Sequence, residues 1–173
     1  MPIDYDFIEV GTSDFHTLIQ ECSDESVGLS IEPLSEYLDN LPNKPNVSKV
    51  KAALSAENGE IEIYHIPLEE IYNNSLPFWV RGCNSVNGPH NFTRNKIGSD
   101  LYDRIVRIDK VPKISWKKLI EDYNVGTINY LKIDTEGHEH IILKEYFELC
   151  KENPSLYAKK IKLLILKRIL FWI

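Results

Sequence analysis

The chain has 173 residues, 43% of them hydrophobic and 27% charged, the profile of one soluble globular domain long enough to bury a core without disulfide or metal staples. Twenty Lys and Arg against 26 Asp and Glu give a net charge of −6, which argues against general nucleic-acid binding, since that needs a basic surface. Three dispersed cysteines, Cys22, Cys83 and Cys150, argue against a disulfide framework and against a closed zinc site. They fit a reducing cytoplasm, and the start MPIDYDFIEVG shows no basic region followed by an apolar run of the signal-peptide kind.

In chain order, Phe7 to Val10 reads as a short strand closed by Gly11. Phe15, Leu18, Ile19 and Cys22 fall on one helical face, with Asp14 at the expected N-cap. Val27 to Ile31 is a second strand ended by Glu32-Pro33, Leu34 to Leu41 a second helix, and Val47 to Leu54 a third strand. Residues 60–66 alternate with period two, as a strand with one wet face does. Residues 73–99, rich in Gly, Asn, Ser and Pro, read as a long functional loop. Asp103 to Val111 alternates again and suits pairing with 60–66. A helix follows from Ser115, with Trp116, Leu119 and Ile120 on one face. Ile128 to Ile133 is an apolar strand ending at Asp134, His138 to Cys150 a helix, and Ile161 to Leu166 the last strand. Strands and helices alternating at this spacing predict a parallel sheet covered on both faces, with ligands outside the carboxyl ends of its strands.

Two constellations lie at those ends. Gly11 follows the first strand, and the amides of Thr12, Ser13 and Asp14 are expected to face the crevice. Glu32 stands 21 residues later, about where a ribose-binding acid is found, because a carboxylate can accept from two sugar hydroxyls. A turn glycine and a solvated glutamate are the plain alternative; with the β-α-β pattern the pair favours a nucleoside-type cofactor. The sequence GTSDFH lacks the G-x-G-x-x-G of dinucleotide sites, which disfavours a nicotinamide-dependent oxidoreductase. Asp14 would repel a pyrophosphate, whereas acids at Glu9 and Asp14 suit the cationic end of S-adenosylmethionine. The second constellation packs Lys132, Asp134, Glu136, His138, Glu139 and His140 into nine residues. His138 and His140 sit at i and i+2, on different sides of a helix, so no metal ligand pair is expected of them.

The runs FIEVGTSDF, SIEP, KVKAALSAENGEIEIY and ISWKKLI…INYLKIDTEGHEHIIL together resemble the FkbM-family methyltransferases, over roughly residues 5–145. KIDTEGHE is the most specific part. The resemblance implies an α/β, Rossmann-like class I methyltransferase sandwich: a mostly parallel sheet with helices on both faces, here short at the C-terminus. It implies a single domain over 1–173, with an atypical stretch at 159–173. It further implies S-adenosylmethionine as cofactor and O-methylation of a hydroxyl on a sugar, glycan or similar small molecule. By the family pattern Glu9, Gly11, Thr12 and Ser13 match the first cofactor motif, Glu32 the ribose-binding acid with Pro33 beside it, and Ala53, with Ala52, the adenine rim. Asp134, Glu136 and His138 are the candidate catalytic groups, Asp134 first among them; binding of the methionine amine is Asp134's other role. An acceptor is placed under loop 73–99, near Phe78, Trp79, Arg81, Asn84, Ser85 and His90.

Two departures stand out. The second glycine of the first motif is replaced near Asp14-Phe15, and the chain ends soon after the fifth strand, where such sheets have seven. The rival reading is therefore a truncated, non-catalytic cofactor-binding or interaction protein of the same fold, whose exposed edge would invite a homodimer. A basic, apolar end (Lys159, Lys160, Lys162, Lys167, Arg168 and LLILKRILFWI) also raises a membrane-surface contact. It is too short to span.

Overall fold

The computed structural model describes residues 1–158 and 160–166. Its elements in chain order are β1 (Ile3–Val10), α1 (Leu18–Glu21), β2 (Gly28–Ile31), α2 (Ser35–Leu38), β3 (Val47–Val50), β4 (Ala53–Leu54), β5 (Gly59–His65) and α3 (Leu68–Asn73). A 3-10 turn (Phe78–Gly82), α4 (Asn91–Ile97), α5 (Ser99–Ile105), β6 (Arg107–Ile114), α6 (Trp116–Asp122), β7 (Val125–Ile133), α7 (Glu139–Glu152), α8 (Pro154–Tyr157) and β8 (Leu164–Leu166) follow.

Five strands form a wholly parallel sheet in the order β3-β2-β1-β7-β8. The order reverses between β1 and β7, which opens a crevice at their carboxyl ends. β1 is central and buried on both faces. Ile8 and Val10 join Leu29, Ile31, Leu131 and Ile133 under Trp116 and Leu119 of α6 and Ile142 and Tyr146 of α7. Phe7 points the other way, into Ile19 of α1 and Leu38 of α2. This two-sided alternation places Glu9 on the α1 face of a strand that has no wet side. Trp116 anchors the larger core: it is fully buried, and its indole N–H donates to the Ile142 carbonyl at 3.0 Å.

A second, three-stranded sheet has the order β4-β6-β5, with β5 antiparallel to β6 from Gly59↔Lys113 to His65↔Arg107. It explains why the single strand read over 47–54 is in fact two. The chain leaves the main sheet after Val50, turns through Lys51-Ala52, and Ala53 and Leu54 pair with Lys113 and Ile114 instead. The pairing of the 60–66 strand with the later alternating run holds, but Asp103 to Ile105 belong to α5. Residues 73–99 are not one loop. They hold the 3-10 turn and α4, and Ser85 bridges to Tyr64 through two backbone bonds of 2.8 and 2.9 Å. Ile66, Ile71, Val80, Tyr102 and Ile105 give this region its own small core, which makes it a wall rather than a tether.

Near the end of the chain, Lys160 turns inward. Its ammonium donates to the Val125 and Gly126 carbonyls at 2.7 and 3.0 Å, and Lys162 donates to Asn129 at 2.7 Å. Both hold the chain beside β7. The readings that fall on Lys159 and on residues 167–173 lie outside the described residues. No helix among the described residues is long and apolar enough to cross a membrane.

Candidate functional site

A cleft opens at the carboxyl ends of β1, β2 and β7, where open α/β sheets bind their ligands. Three turns of the main sheet build its floor, and the 82–86 segment builds its wall.

The first turn starts at Gly11, whose φ is +75°. A Cβ here would stand 2.0 Å from the Asp134 carbonyl oxygen. The sequence analysis gives this glycine to close ligand approach; its stronger reason is the abutting end of β7. The helix expected from Phe15, with Asp14 as its N-cap, begins three residues later, at Leu18, with Thr17 as its N-cap. Residues between form a turn in which Ser13 and His16 take φ of 50° and 54°, values that non-glycine residues seldom adopt. Asp14 caps nothing. Its Oδ2 accepts from Asn40 at 3.0 Å and from the Arg81 guanidinium. The crevice therefore does not receive a fan of helix amides: the Ser13 amide goes to Glu32 and the Leu18 amide to Glu9.

Glu9 lies beneath this turn, fully buried and not on the cleft wall. Its carboxylate takes the Leu18 amide at 2.7 Å and the Lys132 ammonium at 2.6 Å, while burial pushes its acidity toward neutral and Lys132 opposes that. Lys132 also donates to the His16 carbonyl at 3.0 Å. The two residues together stiffen the turn from behind. Thr12 is likewise buried, its hydroxyl donating to the Ser13 carbonyl at 3.0 Å.

The second turn presents Glu32 and Pro33 to the cleft. Glu32 is buried, with Oε2 accepting from Ser13 N at 2.9 Å and Oε1 from Leu34 N at 3.0 Å. Burial pushes its carboxyl up to about 7 against the pull of these two amides, and Asp14 and Glu36 add to the rise. Ala52, Ala53 and Leu54, at the crossover between sheets, complete that side.

The third turn carries Asp134, Thr135, Glu136 and His138, all on the cleft. Asp134 continues the ladder, its amide donating to Val10 at 2.9 Å. Glu139 reaches back from the first turn of α7 to accept from Thr135 N at 2.8 Å. Glu136 has a φ of 49° and Gly137 one of 96°, so the chain reverses sharply and sets the Glu136 side chain on the wall. Its carboxylate meets His90 Nε2 at 3.2 Å. His138 is buried; its Nε2 lies 3.1 Å from Ser55 Oγ and its Nδ1 3.2 Å from Asn87 Oδ1. Asn87 can only accept through that oxygen, so the proton sits on Nδ1 and the Ser55 hydroxyl donates to Nε2. Burial lowers the His138 basicity, and His140 adds to that, so the ring is neutral near pH 7. His140 is exposed and bonds to the Gly137 carbonyl instead.

The wall contributes Gly82, Asn84 and Val86, with Ile63 of β5. Of the loop residues singled out in the sequence, Asn84 lines the cleft and Ser85 is consumed by the strand bridge. Arg81 fastens the wall to Asp14, and Phe78 and Trp79 are exposed outside the cleft. Val86 and Ile63 were missed, and no local signal marks them, because each reaches the cleft through long-range packing. The cleft residues include three carboxylates, Glu32, Asp134 and Glu136, and no lysine or arginine.

A model of the methyltransferase FkbM domain matches residues 7–165, which takes in every one of these turns. No curated protein and no solved structure matches the chain.

Proposed function

The chain belongs to the FkbM methyltransferase family, and from that premise we propose that it uses S-adenosylmethionine to methylate a hydroxyl of a sugar, glycan or similar small molecule. The observation that carries this reading is the cleft's charge: three carboxylates and no cationic lysine or arginine on its lining, with Glu32 buried at the end of β2. A pyrophosphate would meet like charge there; a phosphate-free, cationic nucleoside meets the opposite sign.

Glu32 suits a ribose. Each of its oxygens takes one backbone amide and can accept again, from a sugar hydroxyl. Gly11, Ser13 and Pro33 flank that end, and Ala53 with Ala52 offers the apolar rim that a purine ring needs. Glu9 and Thr12 serve this site by holding the turn. When bound, S-adenosylmethionine supplies a methyl group on a sulfonium, open to attack by an oxygen nucleophile. Asp134 stands at the strand end between the two halves of the cleft, where its carboxylate can take the acceptor's hydroxyl proton; general bases of this kind contribute about 10²–10⁴-fold. Glu136 shares that wall. His138, neutral and bonded at both ring nitrogens, braces Asn87 and Ser55 against the start of α7 and so keeps the wall in line, as in-line transfer demands.

Calorimetric titration with S-adenosylhomocysteine tests the reading. The wild type is expected to bind, and Glu32→Gln to bind about tenfold or more weakly, the worth of a charge-assisted hydrogen bond. Because the Glu32 carboxyl is pushed up to about 7, wild-type affinity is expected to fall from pH 8 to pH 6 as the group takes a proton, and that of Glu32→Gln to stay level. A folded wild-type chain that binds nothing, or a variant that matches it, would sink the assignment.

A further inference from the structure

We propose that His90 is a positioning residue for Glu136: from the N-cap of α4 it bonds to the Glu136 carboxylate and fixes it where it orients the methyl acceptor by accepting a hydrogen bond from it. This rests on the methyl-transfer reading above and adds to it a residue outside the sheet.

Glu136 and His90 lie 46 residues apart on different elements, so no local turn rule accounts for their meeting. Glu136 holds a left-handed φ of 49°. Such strain persists where the surroundings over-determine a conformation, and it gathers at functional sites. The two side chains are 16% and 17% exposed, with Nε2 to Oε2 at 3.2 Å: sheltered, yet at the edge of a cleft that Glu136 lines.

His90 is tied down from its own side. Its Nδ1 lies 2.7 Å from the hydroxyl of Thr93, a buried residue, and its backbone N–H donates to the Tyr102 hydroxyl at 2.9 Å. The Phe92 ring stands edge-on at 6.4 Å. A hydroxyl can accept from an imidazolium or donate to a neutral ring, so Thr93 holds the imidazole in either state. The groups facing the ring are Cys83 from the end of the 3-10 turn, Glu136 from the turn after β7, and Thr93 and Tyr102 from α4 and α5. The Cys83 side chain first, and Glu136 second, raise the ring's pKa well above the ordinary histidine value, to about 9. An imidazolium therefore faces the carboxylate near neutral pH. A carboxylate pinned by a charge-assisted bond cannot swing out of line, and transfer chemistry tolerates only about 0.5 Å of misplacement.

The test joins ring titration, cofactor affinity and turnover. In protein saturated with S-adenosylhomocysteine, the His90 ring resonance, identified by its loss in His90→Gln, is expected to titrate near pH 9. Glu136→Gln is expected to lower that midpoint by about one pH unit or more. Affinity for S-adenosylhomocysteine should stay within about twofold in His90→Gln, a change worth under half a kcal/mol. With methyl glycosides of glucose, mannose, rhamnose and fucose as acceptors and a tritiated methyl donor, His90→Ala is expected to lower kcat/KM about tenfold or more. His90→Gln, which keeps an N–H near the place of Nε2, should restore most of it and lack the wild type's decline near pH 9. Cys83→Ser should keep a decline but move it to lower pH, because the Cys83 side chain is first among the groups that raise the ring. A midpoint unmoved by Glu136→Gln, His90→Ala turning over like wild type, or lost S-adenosylhomocysteine binding in His90→Gln would each overturn the proposal. A wild type that binds S-adenosylhomocysteine but labels no glycoside counts against the sugar reading instead, and the ring titration then decides the pair.

Discussion

Asp134 and Gly11 meet where two strand ends abut, and the contact couples the cofactor turn to the candidate base. The place a Gly11 side chain would occupy is already taken by the Asp134 carbonyl. The backbone of the strand-end acid is thus fixed by the packing of the two turns. Replacing its charge while keeping its shape isolates the chemistry from that packing. Asp134→Asn is expected to lose about tenfold or more in methyl transfer to any acceptor the wild type labels, with an unchanged melting curve. Wild-type turnover in that variant would remove Asp134 from the reaction.

At the scale of elements, the wall segment is held to the main sheet by Arg81. Its guanidinium donates to Asp14 Oδ2, its carbonyl accepts from Ser13 Oγ at 3.3 Å and Asn84 Nδ2 at 3.0 Å, and its charge lies over the Phe78 ring at 5.1 Å. Phe78 in turn packs on Phe15 with ring centres 4.9 Å apart. Removing one partner of a sheltered ion pair strands the other charge, at about 3–5 kcal/mol; Asn40 remains on Asp14, so the low end applies. Arg81→Ala is expected to lose about 3 kcal/mol in urea unfolding, and adding Asp14→Asn to recover part of it, because no charge is then left unpaired. An Arg81→Ala chain as stable as wild type would show that the wall is held by its aromatic contacts alone. This clasp also marks how far the sequence could be read. The β-α-β rhythm and the spacing from Gly11 to Glu32 depend on near neighbours, and both land on the cleft. Asp14 looked like a helix cap because its captor lies 67 residues away, and Glu9 looked like a cofactor ligand because Lys132, 123 residues on, is invisible to any local rule. The break in the 47–54 strand and the helices within 78–105 escaped for the same reason: their partners are strands and side chains far along the chain.

Over the whole molecule, Glu32 in the cleft and Glu145 on α7 set much of how stability depends on pH. Glu32 is pushed up to about 7 by burial. Glu145, which accepts from Trp116 N at 3.0 Å, is also pushed up to about 7, again by burial first. The folded state therefore binds more protons than the unfolded chain between the ordinary glutamate value and about 7, and stability falls as pH rises through that window. His65 is held between Glu36 and Asp109, which raise it against the lowering effect of burial, and His90 is raised to about 9. Their stabilisation is complete below the ordinary histidine value and is lost as pH climbs through the folded one. The net charge of −6 acts the same way, since self-repulsion eases toward the isoelectric point near 5.4. His138, lowered by burial, opposes the trend below the ordinary histidine value, and the exposed Glu57 and Asp103, lowered by Lys113 and Arg94, oppose it at more acid pH. Thermal melts from pH 5 to 9 are thus expected to peak on the mildly acid side and to decline toward pH 9, with about 1 kcal/mol appearing as ~2–4 °C in a chain of this size. Glu32→Gln should flatten the decline below pH 8. A melting temperature that instead climbs from pH 6 to pH 9 would mean that the Glu32 charge is not costly in the fold, and with it would go the argument that this carboxylate is kept for a ligand rather than for stability.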